Sequence, residues 1–311
     1  MTDIKYNTLE DYLWSSQWEI TREIIKTIPN SLTKTKSNSF MDTENLDVIS
    51  IDDILWGSTP IITWGIPEVD NLFGASHKGK YEIFYWNAGS WKTSYLFQRA
   101  VANANIWVKT CFVSLEMNRK DLISQYALKA AWIKTNSIGT KIEPTPAQRT
   151  IIGDFLKEIS VIDIKSYWKN PSVQWYKDLL NDLHEQGYQL IIIDNLWMIG
   201  RSDTNDEMSL FATISEITRI ACNWLWINVI MTHHSKKASE WGTWARWTSA
   251  FRGTSKLVDD VDSMVQIVRV FDETWGSQSI LQLEKDRVWW WAGKSIPLVF
   301  NKGKFSADIF I

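Results

Sequence analysis

Glycine is scarce in this chain, with 14 in 311 residues, where average usage of about 7% would supply about 22. The shortage matters because glycine turns a chain through positive φ and lets backbone approach a ligand closely. Cysteine is nearly missing too. The two present, Cys111 and Cys222, fall in apolar segments, which argues against a disulfide framework and for a reducing cytosol. With only four histidines besides, no zinc-ligand spacing is formed, and a structural metal is not expected. No apolar run reaches the ~18 residues of a membrane span, and the polar, acidic N-terminus carries no signal-peptide pattern. These absences predict a cytoplasmic protein without membrane contact. Basic charge is not in excess either: the net charge is −3, so a nucleic-acid surface would have to be a local basic patch. No internal repeat is visible.

Tryptophan is oversupplied, at 20 residues, and several stand where a turn residue is expected. Trp64 precedes Gly65 in Thr-Trp-Gly-Ile-Pro, and Trp224 and Trp226 flank the approach to a strand. Trp241, Trp244 and Trp247 punctuate a polar loop, and Trp289, Trp290 and Trp291 follow a strand end. The composition predicts that many of these are UGA codons, translated as Trp but read as glycine in the source organism. Some bacterial lineages reassign UGA in this way. The alternative is a genuinely Trp-rich protein, which UGG codons at 86 and 91 would establish.

Those two positions lie in the stretch that organises the chain, Tyr85 to Ser94. The phosphate-loop pattern G-x-x-x-x-G-K-[ST] requires glycine at 86 and 91. The chain has Trp86 and Trp91 there, with Lys92 and Thr93 in place. Such a loop turns successive backbone N–H groups inward around a phosphate, ahead of a helix N-terminus. An indole beside Lys92 would fill the space the phosphate needs. With glycine at both positions, Trp86, Asn87, Ala88, Gly89, Ser90, Trp91, Lys92, Thr93 and Ser94 form the expected cradle.

Residues 8–28 have helical apolar spacing, and residues 30–46 read as a polar linker. We therefore expect an N-terminal extension over 1–58 and a single α/β domain over 59–311. Within the domain, strands and helices alternate, which predicts a mostly parallel, twisted sheet flanked by helices. Strands are expected at 81–85, 109–115, 161–164, 189–194 and 228–232. Helices are expected from the loop to about 105 and at 119–131, 146–159, 172–186 and 206–223. Three further strands, about 263–270, 279–285 and 296–300, end the chain.

The chemistry needed for nucleotide hydrolysis is a phosphate cradle, a divalent metal, a base for water and a charge sensor. Candidates occur in a consistent order, mostly at strand ends, where open α/β sheets bind ligands. Lys92 would neutralise the β/γ-phosphates of ATP, and the Thr93 hydroxyl would ligate Mg2+. Asp194, ending Gln-Leu-Ile-Ile-Ile-Asp, would hold the same metal through water. Glu116 would orient or deprotonate the attacking water, and His233 would sense the γ-phosphate. Each has a structural alternative: a capped strand end for Asp194, a solvated carboxylate for Glu116, a hydrogen-bonded strand-end histidine for His233. The loop over 235–256 carries Lys236, Lys237, Arg246, Arg252 and Lys256. It reads either as a phosphate-tracking segment for single-stranded nucleic acid or as a solvated charged loop.

From about residue 60 the chain resembles the RecA-like ATPase domain of DnaB-type hexameric replicative helicases. The resemblance rests on Gly65-Ile66-Pro67 with Asp70, the loop with Lys92-Thr93, Val113 to Met117, Ile191 to Asp194, Val229 to His233, Phe251 to Leu257 ending at Asp262, and Lys285-Asp286-Arg287. It implies a P-loop NTPase core with antiparallel strands near the C-terminus. It also implies a homohexamer that moves on single-stranded DNA in replication. The segment with Arg252, Gly253 and Lys256, along with Arg246, would touch DNA. Lys285 and Arg287 would reach the neighbouring subunit's nucleotide, Arg287 as an arginine finger. Primase or a helicase loader would be the partner. Bacterial members carry a sizeable N-terminal helical domain, for which residues 1–58 are too few. The 8–28 helix reads instead as a linker helix docking on a neighbour, or as a loosely packed terminal helix. Two other readings stand beside this one: a RecA/RadA- or KaiC-like ATPase, and a degenerate non-hydrolysing scaffold if Trp86 and Trp91 are genuine.

Overall fold

A computed structural model describes residues 62–74, 76, 78–86, 92–133, 143–167, 171–204, 206–234, 255–271, 277–287, 292–301 and 304–308. The expected 8–28 helix, the 30–46 linker, loop residues 87–91, most of the basic loop and Trp289 to Trp291 lie outside them.

Short helix α1 (Pro67–Phe73) opens the domain with proline in its first turn and ends at Gly74, φ 77°. Then follow β1 (Tyr81–Trp86), α2 (Lys92–Asn105), β2 (Thr110–Ser114), α3 (Arg119–Ala130), α4 (Pro146–Ile159), β3 (Asp163–Ser166), α5 (Val173–Glu185) and β4 (Leu190–Asp194). The chain continues through α6 (Glu207–Leu225), β5 (Asn228–His234), α7 (Ser255–Asp260), β6 (Ser263–Phe271), β7 (Ser277–Asp286), β8 (Ser295–Asn301) and β9 (Lys304–Ala307). One nine-stranded sheet results, in the order β3-β2-β4-β5-β1-β6-β7-β8-β9. Pairing is parallel from β3 through β6, then antiparallel through β9.

Local chemistry explains where elements begin. Asn118, Thr145, Ser172 and Asp206 each cap a helix by accepting a backbone N–H, which satisfies otherwise orphaned donors. Thr145 and Gln148 complete a reciprocal capping box. All five residues of β4 are buried, as a strand covered on both faces requires. Phe84, Tyr95, Phe97, Phe112, Ile192, Ile230 and Val265 belong to one continuous core. Two strand assignments differ from expectation. The third strand starts at Asp163, because Val161 stays exposed in the turn after α4. The final strand β9 has too few residues to show a pattern and is fixed by its pairing with β8.

The tryptophans separate into two kinds. Among the described residues, the non-glycine positions with positive φ are Trp107 (68°), Trp132 (57°) and Trp226 (54°), all of them tryptophan. Their side chains are 92%, 56% and 62% exposed. Trp226 is the left-handed C-cap of α6, the place where glycine is favoured. At these three positions the backbone takes a glycine conformation and the indole is largely exposed, Trp132 alone among them standing edge-on to Phe300 at 6.2 Å. Trp64 is the opposite case and corrects its reading as a turn residue. It is 3% exposed, its Nε1–H donates to Gly74 O at 2.6 Å, and the Arg99 guanidinium lies 4.2 Å over its ring.

Candidate nucleotide-binding site

The parallel strands bring their carboxyl ends to one edge. Tyr85 and Trp86 lie beside His233 and His234, and Ser114 lies beside Asp194. α2 begins at Lys92 directly after the loop, so β1 delivers the loop to the edge where β4 delivers Asp194. An ion pair fixes α2 against β1 from below: Arg99 Nη1 and Nη2 grip Glu82 Oε2 and Oε1 at 2.8 and 3.0 Å. Both groups are buried, and Arg99 Nε donates to Thr63 O at 3.1 Å. Gly65 packs on this helix with φ 83°, and a β-carbon there would come within 3.0 Å of Arg99 Cα.

Asp194 is the centre of the polar edge. Thr93 Oγ1 donates to its Oδ2 at 2.9 Å, Thr232 Oγ1 donates to its Oδ1 at 2.7 Å, and Lys92 Nζ lies 3.5 Å from Oδ1. Glu116 follows β2, and Asn195 Nδ2 donates to its Oε1. Leu115 N donates to Asp194 O at 2.7 Å, tying the Glu116 turn to the end of β4. Three of the expected residues, Lys92, Thr93 and Asp194, are therefore in mutual contact, and Glu116 is held to the same edge through Asn195.

His233 lies at the end of β5, fully buried, edge-on to Phe211 (5.4 Å) and Trp197 (6.4 Å). The aromatic packing fixes its ring at the carboxyl edge. Tyr126 of α3 also reaches this place. Burial raises its phenol pKa, a hydrogen bond from the Thr93 side opposes the rise, and the Asp194 and Glu116 charges add to it.

The donor set fits magnesium. A threonine hydroxyl and a carboxylate are hard oxygen ligands, and Mg2+ is ordinarily held by one or two protein oxygens plus phosphates and water. Among the described residues no group of three or more His, Cys, Asp or Glu side chains could hold a metal ion by itself. Ser94 is placed elsewhere. With Phe97, Gln98 and Val101 it lines a cavity of about 660 Å3 on another face of α2, walled opposite by Phe155 and Phe300. Lys92, Thr93, Asp194 and Glu116 are not among that cavity's lining residues.

Lys285 and Arg287 lie at the end of β7, away from the Asp194 cluster in their own chain. Lys285 Nζ donates to Val258 O and, at 3.4 Å, to Asp259 O. Arg287 Nη2 donates to Asp259 O. Burial lowers the Lys285 pKa, and the neighbouring Arg287 charge lowers it further. Lys256, in α7, pairs with Asp260 at 3.4 Å and Glu216 at 3.7 Å. Arg246, Arg252 and Gly253 are outside the described residues, as are Asn87, Ala88, Gly89, Ser90 and Trp91; of Trp86 only the backbone is described.

Three residues that touch the candidate set escaped the sequence. Asn195 directly follows Asp194, and Thr232 directly precedes His233, so adjacency to a strand-end residue was their only signal. Tyr126 sits in the middle of α3 with nothing to distinguish it from a core aromatic.

No protein-family model matches the sequence, and no curated protein does. Solved structures do. One of them, an ATPase domain, matches with TM-score 0.65 at 18% identity, covering 82% of this chain and 94% of that one. A DnaB-like replicative helicase, described with its interactions with primase, matches with TM-score 0.67 at 16% identity over 93% of this chain and 75% of that one. The RadB recombinase matches with TM-score 0.53 at 11% identity, over 79% of this chain and 99% of that one. With the parallel sheet and its antiparallel C-terminal strands, these likenesses establish the fold as the α/β fold of RecA-like domains.

Proposed function

We propose that this chain is an ATP-driven motor on single-stranded DNA, a replicative helicase of the DnaB kind acting as a hexameric ring in the cytoplasm. The observation that carries the reading is the contact of Thr93 and Lys92 with Asp194 at the carboxyl edge, with Glu116 held beside it. Mg2+, when bound, would neutralise charge developing on the phosphate oxygens. Thr93 would ligate it directly and Asp194 through water, while Lys92 binds the β/γ-phosphates. Glu116 would orient the attacking water and take its proton, with Asn195 fixing the carboxylate. His233 would report the γ-phosphate to β5 and the loop after it. Arg287 and Lys285 would act on the neighbouring subunit's nucleotide, so that hydrolysis depends on assembly. Arg246, Arg252, Gly253 and Lys256 would follow the DNA backbone, giving salt-sensitive binding indifferent to sequence. Primase or a loader is the partner this reading implies.

The test compares two forms of the protein, one with tryptophan and one with glycine at 86 and 91, for binding of a fluorescent ATP analogue and for ATP turnover. The glycine form is expected to bind and hydrolyse, and Lys92→Ala in it to abolish turnover. A glycine form that binds no nucleotide would overturn the reading. If only the tryptophan form exists in the source and binds nothing, the chain is a non-hydrolysing scaffold. The RadB likeness, which spans nearly that whole chain, supports a second reading as a recombinase-like ATPase. Electron microscopy with ATP and single-stranded DNA separates the two: closed rings for the helicase, DNA-coated filaments for the recombinase.

A further inference from the structure

Asp262 joins α7 to β6 and is buried at 4% exposure. Its backbone is fixed on both sides: its N–H donates to Tyr81 O at 2.8 Å, and its carbonyl accepts from Arg287 N at 2.8 Å. Its two carboxylate oxygens face different partners. Oδ2 accepts from Tyr81 N at 2.9 Å and from Arg219 Nη1. Oδ1 lies 3.8 Å from Arg287 Nε. A buried carboxylate requires a partner charge or donors, and Arg219 with the Tyr81 amide meets that need at Oδ2. The other oxygen is directed at an exposed arginine, whose Nη2 is gripped in turn by Asp259 O.

From this arrangement we infer that Asp262 is a positioning residue for Arg287, drawing the guanidinium to its charge at Nε while the Asp259 carbonyl of α7 holds it at Nη2. The inference rests on the reading of Arg287 as a group acting on a neighbouring subunit. An exposed arginine samples many rotamers, and a misplacement of about 1 Å in a charge-stabilising group costs on the order of 100-fold in rate. Holding the fork before the neighbour arrives removes that loss. The same contacts join the finger to α7, the helix that leaves the basic loop, and to Tyr81 at the start of the strand that carries the phosphate loop. Arg287 is thus joined to α7 through Asp259 O and to the start of β1 through Asp262.

The experiment uses the full chain with glycine at 86 and 91. Asp262→Asn keeps the side-chain volume and removes the charge. The expected result is a kcat for ATP about tenfold lower, with KM for ATP little changed. The double variant Asp262→Asn/Arg287→Ala should be no slower than Arg287→Ala alone, because the two residues act through one group. Mixed assemblies then separate positioning from damage. A Lys92→Ala subunit has a dead site and an intact finger, so mixing it with Asp262→Asn subunits should give more turnover than the two alone. If Arg287→Ala is rescued in that mixture and Asp262→Asn is not, Asp262 acts on its own subunit's fold and the inference is overturned alone. If neither is rescued, the trans-acting role of Arg287 is overturned along with it. A measurement without any variant guards against misfolding. Phenylglyoxal should modify Arg287 several-fold more slowly than the exposed Arg119 in dilute protein, and equal rates would also overturn the inference.

Discussion

Trp226 ends α6 with φ 54°, a conformation that costs a residue with a β-carbon about 1–2 kcal/mol. Trp107, 92% exposed, carries the same strain with little side-chain contact to offset it, and Trp132 carries it against a single edge-on contact with Phe300. Replacing any of the three by glycine is therefore expected to stabilise the protein by about 1 kcal/mol, less whatever the freer glycine loses on folding. Trp64→Gly should do the reverse. It removes a buried ring, its Nε1–H···O bond to Gly74 and its contact with Arg99, and large-to-small changes of this kind cost about 3–5 kcal/mol. Denaturant midpoints of the four variants check both signs. The codons give an independent reading: UGA at 107, 132 and 226, UGG at 64. If Trp226→Gly lowers the midpoint as Trp64→Gly does, the glycine reading of the left-handed sites fails. The cysteines yield a second test at this scale. Burial pushes the Cys111 thiol up to about 12 and raises Cys222 further. Thiolate is the reactive form, so an aromatic disulfide reagent should leave both thiols untouched at neutral pH and titrate two per chain only in denaturant.

The candidate phosphate loop falls between β1 and α2, and the buried Arg99–Glu82 pair ties α2 to β1. Removing one partner leaves an uncompensated charge inside the core, which costs about 3–5 kcal/mol. Arg99→Ala is expected to lower stability by that amount in chemical denaturation. It should also weaken ATP-analogue binding before the fold is lost, since α2 then shifts beneath Lys92 and Thr93. Full stability in this variant would mean that α2 is held by packing alone. The elements themselves were largely legible. Gln189 to Asp194 reads as a doubly covered strand because it is an unbroken apolar run, and the Lys92-Thr93 helix reads from its loop. Their contacts were not legible, because parallel pairing joins residues far apart in the chain. Thr232 meets Asp194 across 38 positions and Asn195 meets Glu116 across 79, and no local pattern encodes either. The Arg99–Glu82 pair escaped for a related reason: its residues look like ordinary charges until a helix and a strand bury them together. Lys285 and Arg287 were recognisable only by likeness, and their anchoring on Val258 and Asp259 carbonyls had no sequence signal at all.

At the scale of the whole molecule, the proposed catalytic set is divided. Lys92, Thr93, Asp194 and Glu116 share one edge of the sheet, while Lys285 and Arg287 stand at the end of β7, tied to α7. A finger supplied by a second chain contributes on the order of 10³–10⁵ to the rate of phosphoryl transfer, so a lone subunit should be nearly inert. Turnover per chain should then rise steeply with protein concentration and level off once assembly is complete. Arg287→Ala should remain low at every concentration while binding nucleotide normally, because its own phosphate site is untouched. The midpoint of the rise should coincide with the assembly midpoint measured by light scattering on the same samples. Single-stranded DNA that favours the ring should move both midpoints to lower concentration together. If turnover per chain is instead independent of concentration from the monomer upward, each subunit completes its own site. Lys285 and Arg287 then serve only to anchor α7, and the motor reading loses the coupling between neighbours on which it depends.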